Sequence, residues 1–69
     1  MTPSEFKRLR QSWGLSQNDI ADLLGVADGR TVRRWEAGTR EQPGPVVVLM
    51  RILEQHPWLL RDLKEGVLK

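Results

Sequence analysis

Four arginines, Arg30, Arg33, Arg34 and Arg40, fall within a stretch from position 30 to position 40 that holds a single acid, Glu36. If the first three lie on a helix, then at about 100° per residue they share one face with Ala37, while Val32 and Trp35 point the other way. Guanidiniums held side by side repel one another, so such a face does not arise for stability. It suits an anion. Arginine offers a planar fork of donors that pairs with phosphate oxygens and with the O6 and N7 edge of guanine. The chemistry this row could do is nucleic-acid recognition. The plain alternative is a solvated charged surface, which a lone arginine triplet also fits. The elements around the row decide between the two.

Other chemistry finds little to work with. One histidine and no cysteine leave no ligand set for a structural metal. Asp19 and Asp22 lie on the polar side of one helix without further ligands. The sequence has no glycine-rich phosphate loop, no Ser/His/Asp group and no paired catalytic carboxylates. The expectation is a binding protein with no cofactor and no enzymatic activity.

The elements that must position the arginines are marked by clear punctuation. Thr2-Pro3-Ser4-Glu5 reads as a capping box with proline at the first helical position. Phe6, Leu9 and Trp13 then recur at helical spacing and Gly14 supplies the left-handed stop, so a first helix is expected over about residues 3–13. Ser16 opens a second helix, its hydroxyl placed to accept the backbone N–H near Asp19. Ile20, Ala21, Leu23 and Leu24 form its buried face, and Gly25 ends it. Asp28 caps a third helix that runs to about Ala37, before Gly38. Thr39 to Pro45 is a loop by composition, and Pro45 starts a fourth helix over about residues 45–55. His56-Pro57 breaks it and opens a fifth, over about residues 57–65. No strand pattern or repeat interrupts this order, which makes the class all-α. The second helix, short turn and third helix match helix-turn-helix geometry over residues 16–37, in which the third helix enters the major groove.

Sixty-nine residues fit one domain, expected to span 1–69. A chain this short is marginal alone, and without disulfides or zinc the remaining supplement is oligomerisation. The longest apolar run, Val46 to Met50, is far short of the roughly 20 residues that span a bilayer. The N-terminus has neither the basic start nor the apolar core of a secretory leader, so a cytoplasmic protein is expected. A net charge of +2 does not by itself point to nucleic acid; the position of the charge does.

Taken in order, Gly14-Leu15-Ser16-Gln17, Ile20-Ala21-Asp22-Leu23-Leu24-Gly25-Val26 and Thr31-Val32-Arg33-Arg34-Trp35-Glu36-Ala37-Gly38 closely resemble the Cro/phage-repressor helix-turn-helix family, the XRE type. The likeness covers residues 3 to about 55. Pro43-Gly44-Pro45 and the segment Leu49 to Pro57 look like a subgroup that includes DNA-binding domains of some antitoxins. Small autorepressors encoded beside anti-CRISPR genes are also similar in size and layout. The resemblance implies a compact five-helix, lambda-repressor-like domain that binds double-stranded DNA. It implies that Arg30 and Arg34 face base edges, with Arg33 and Thr31 reaching bases or backbone. It places Ser16, Gln17, Gly29, Thr39 and Arg40 along the phosphates, and pairs Arg10 with Glu36. On the wheel Arg10 and Glu36 both border apolar stripes, which agrees with a structural ion pair rather than a DNA contact. One departure stands out: between Gly25 and Trp35 this chain has one residue more than the family pattern, around Ala27-Asp28-Gly29. Gly29 or Arg30 could therefore be the first to meet a base.

Trp13 and Trp35 fall on buried stripes and are expected in the core. Trp58 lies with Asp62 and Glu65, opposite Leu59, Leu60, Leu63 and Val67, as a partly exposed lid or an interface anchor. His56 either caps the fifth helix or is solvated. The fourth helix is greasy on more than one side, because Val47, Val48 and Ile52 extend the face of Val46, Leu49, Met50 and Leu53. Either the fifth helix covers all of this, or residues 45–69 form a two-fold homodimer interface through Val47, Val48, Ile52, Trp58 and Leu59. The dimer is the favoured expectation, with binding of a toxin-like protein partner as the alternative main role.

Overall fold

Capping chemistry sets where the helices begin. The computed structural model describes residues 1–68; Lys69, the last residue of the expected domain and pairing region, lies outside the described residues. The elements are α1 (Pro3–Ser12), α2 (Gln17–Leu24), α3 (Gly29–Ala37), α4 (Gly44–Gln55) and α5 (Pro57–Val67), with no strand among the described residues. Thr2 Oγ1 accepts the Glu5 N–H at 3.1 Å while Glu5 Oε1 accepts the Thr2 N–H at 3.2 Å, closing a reciprocal box over the first turn of α1. Ser16 and Asp19 repeat the arrangement on α2 at 3.0 and 3.2 Å. Asp28 Oδ1 accepts from the backbone of Arg30 and Thr31 at 3.0 and 3.2 Å, which starts α3. Gly25 and Gly38 close α2 and α3 in the left-handed region, at φ 71° and 79°, where a side chain would be strained.

The helix limits agree with the sequence reading to within two residues. Trp13 caps α1 rather than extending it, and α4 begins at Gly44, one residue early. The larger difference is at the end of α5, which continues to Val67 because Gly66 keeps a helical backbone and Leu68 packs on the core beyond it.

The core is built around Phe6, Ile20, Val32, Met50 and Leu53, all effectively without exposed surface. Trp35 packs edge-on to Phe6 with ring centroids 5.6 Å apart, joining α3 to α1. Trp13 is half-buried at the margin of this core rather than inside it. α3 leans mainly on α2 and α1, and α5 on α4 and α2. On α5, Leu60 is buried and Leu63 half-buried, but Leu59 and Val67 on the same expected side remain exposed. α5 therefore does not cover α4 completely: Val48 and Ile52 stay 59% and 41% exposed, and Trp58 57%.

Candidate nucleic-acid interface

α3 presents two unlike sides, as its residue order dictates. Val32 and Trp35 are buried, while Arg30, Arg33, Arg34 and Ala37 are exposed. The connection between α2 and α3 runs from Gly25 to Asp28, and α3 begins at Gly29. Gly29 itself is buried against α2, so Arg30 is the first exposed side chain of α3.

The pose of this helix is held by a polar hub beneath it. Arg10 Nε and Nη2 donate to the two carboxylate oxygens of Glu36 at 2.7 and 3.0 Å, a bidentate pair between α1 and α3. The side chains are only 10% and 5% exposed. Arg10 Nη1 donates to the Leu15 carbonyl at 2.8 Å, and Gln17 Nε2 donates to Glu36 Oε1 at 3.1 Å. Glu36 thus gathers donors from α1 and α2, and Arg10 also satisfies a loop carbonyl. A pair so thoroughly hydrogen-bonded meets the condition under which burying opposite charges is tolerable. The hub fixes how α3 sits on α1 and α2.

The remaining residues that the sequence pointed to surround the arginines in different states. Ser16 is spent as the α2 cap, with its hydroxyl hydrogen still able to donate. Gln17 is half-buried and turned inward to Glu36. Thr31 is half-buried beside the Asp28 cap. Thr39 Oγ1 donates to the Arg34 carbonyl at 3.2 Å, fastening the loop after α3 to its last turn, and Arg40 is exposed on that loop. Gly29, expected along the phosphates, is different: its N–H already donates to Asn18 Oδ1 at 3.1 Å, so it has no backbone donor to offer. Ser16, Gln17, Asn18, Gly29, Arg30 and Arg33 line one open concavity on this side of α3. Val26, Thr31, Arg34, Arg40, Glu41 and Pro43 flank the other. Glu41 adds an acid to that second flank, at the edge of the arginine face.

Asn18 drew no notice in the sequence, and its only signal there is position, next to Gln17 at the start of α2. On the opposite part of the molecule, His56 makes no capping hydrogen bond to α5. Its Nδ1 is buried without a partner and its ring stands 4.9 Å from that of Trp58. Among the described residues no cluster of His, Asp or Glu could hold a metal ion, and no helix is long and apolar enough to cross a membrane.

Comparison with known proteins supplies an independent line. Residues 1–64 match the family described as the antitoxin component of bacterial toxin-antitoxin systems, MqsA. The chain is similar to antitoxin HigA-2 of Vibrio cholerae serotype O1, with 29% identity over 65 residues, covering 94% of this chain and 62% of that one. It is also similar to the uncharacterized HTH-type transcriptional regulator YiaG of Escherichia coli K12, with 32% identity over 62 residues, covering 90% of this chain and 64% of that one. The chain spans a little under two thirds of the length of these curated relatives.

Proposed function

This chain belongs to the MqsA family of antitoxins, and from that premise we propose that it is a sequence-specific double-stranded DNA-binding regulator that reads an operator through the major groove. The observation that carries this reading is the exposed row Arg30, Arg33 and Arg34 on a helix whose pose is locked by the Arg10–Glu36–Gln17 hub. A fixed cationic helix face is what base readout requires, since the donors must arrive at the base edges already oriented. Arg30 and Arg34 address base edges, Arg33 and Thr31 bases or backbone, and Ser16, Gln17, Thr39 and Arg40 the phosphates. The names of the relatives, a transcriptional regulator and an antitoxin, support the same class of activity.

In the fuller form of the proposal the protein is a homodimer that represses its own operon, in a phage or other mobile element, and acts in the cytoplasm without catalytic activity. The exposed Val48, Ile52, Trp58 and Leu59 support a pairing surface. A two-fold pair would present two copies of α3 about one DNA turn apart, roughly 34 Å, to a palindromic site.

Arg34→Ala is expected to weaken operator binding by about 1–3 kcal/mol and to flatten base preference at one position of each half-site. Binding measured on systematically altered operators checks this; equal losses on operator and random DNA would reassign Arg34 to phosphate contact. A second reading, that the main role is to bind and neutralise a toxin-like protein, is favoured by the family match and by the same exposed apolar residues. Co-expression with the product of the neighbouring gene separates the two: a stoichiometric complex supports the antitoxin role, and a lone DNA-binding species supports the regulator.

A further inference from the structure

Asn18 stands on the rim of the arginine face in an unusual state for an exposed amide. Its Oδ1 accepts the Gly29 N–H at 3.1 Å, bridging the start of α2 to the start of α3. Only the oxygen of the amide can accept, so this bond decides which way the planar group faces. The amide nitrogen is thereby turned away from the Gly29 N–H, and it makes no hydrogen bond within the described residues. Gly29 is what lets the group lie so close. A Cβ at that position would stand 2.3 Å from Asn18 Oδ1 and 3.1 Å from its Cγ, so any side chain there would push the amide out.

We propose that Asn18 is a DNA-contacting residue whose latched amide donates to a backbone phosphate beside Arg30 and Arg33. The inference rests on the DNA-binding reading above. Asn18 lines the same open concavity as both arginines, and all three are exposed there, so the site offers an NH2 group beside two guanidiniums. The carboxylates around it are already engaged: Asp19 accepts the Ser16 N–H, and Asp28 accepts the Arg30 and Thr31 N–H groups as the α3 cap. The neighbouring Gln17 amide already donates an N–H to Glu36, whereas the Asn18 NH2 makes no hydrogen bond among the described residues. A phosphate oxygen carries only acceptors and complements this set. The first helix of a helix-turn-helix crosses the DNA backbone while the second enters the groove, which sets a residue of α2 against phosphate rather than a base edge. Because the amide is held before DNA arrives, the contact costs little further ordering.

Asn18→Asp separates this role from a structural one. It keeps an oxygen for the Gly29 N–H and replaces the outward NH2 with an anionic oxygen of the same size. Gln11→Glu, on the exposed side of α1 and outside both the arginine face and the α4–α5 surface, adds the same charge. The probes are the operator obtained by selection and a random-sequence duplex, alongside thermal unfolding of each variant. Asn18→Asp is expected to melt with the parent and to lose about tenfold in affinity on both duplexes, as loss of a hydrogen bond to a charged group implies. Gln11→Glu should lose less than about twofold, since an exposed charge outside the contact surface is largely screened. Asn18→Ala should lose both stability and affinity. If Asn18→Asp binds both duplexes as Gln11→Glu does, or if Asn18→Ala loses stability alone, the proposal is overturned while the DNA reading stands. A parent protein that binds neither duplex overturns both.

Discussion

The two ends of this small molecule are built on different principles. From α1 to α3 each helix starts on a side-chain cap, from Thr2, Ser16 or Asp28, and a buried ion pair between α1 and α3, joined by Gln17 of α2, ties the three together. α4 and α5 start after Pro43 and His56 with no side-chain cap at all. They are held by the burial of Val46, Met50, Leu53 and Leu60, and leave apolar side chains in water. Directional bonds fix orientation and apolar contact mainly fixes proximity. Under the proposed function this division is the one expected: presenting arginines to base edges calls for the first, and meeting another protein surface can rely on the second.

The hub is where this contrast breaks most visibly. Glu36→Ala leaves Arg10 buried without its partner and frees Gln17, and is expected to cost about 3–5 kcal/mol of unfolding free energy. Chemical denaturation checks it. A loss below about 1 kcal/mol, the usual worth of an exposed pair, would mean that the hub does not hold the reading half together.

On the other half the expected effect is on association rather than folding. Ile52→Glu places a charge on an already exposed position, so its effect on the folded chain should stay within about 0.5 kcal/mol. In sedimentation it should convert a dimer to a monomer with unchanged helical content. A parent protein that is monomeric at high concentration would deny the pairing role to this face.

The smallest effect is expected where the halves touch. Glu5 accepts the Thr2 N–H and faces Arg51 Nη1 at 3.2 Å, and these hold its carboxyl below the ordinary value of 4.5, the Thr2 bond contributing most. A depressed carboxyl stabilises the fold above its unfolded value, and that contribution fades as pH falls through the folded one. Glu5→Gln should therefore melt slightly below the parent at neutral pH and converge with it in acid. A gap that widens as pH falls would contradict the assignment.

How much of this could be read from the residues follows the same division. Thr2 with Glu5, Ser16 with Asp19, and the glycines at 14, 25 and 38 are local signals, acting over a few positions, and they marked the first three helices directly. The arginine face was legible because Val32 and Trp35 fix the rotation of α3. Contacts that depend on how helices cross were not legible from spacing. Asn18 meets Gly29 across the α2–α3 junction, and Arg51 reaches Glu5 from α4 to α1. The incomplete cover of α4 has the same origin, since it depends on where α5 comes to rest. The resemblance pointed to Arg10 and Glu36 together, and the structure adds Gln17 and the Leu15 carbonyl to that pair.

The central claim, that the hub-locked arginine face of α3 reads DNA sequence, is tested most directly by selecting bound sequences from random duplex DNA with the purified protein. The account predicts enrichment of a palindrome whose half-sites are centred about one helical turn, roughly 34 Å, apart. Recovery of DNA with no enriched sequence would reduce the arginine face to a nonspecific cationic surface and contradict the account.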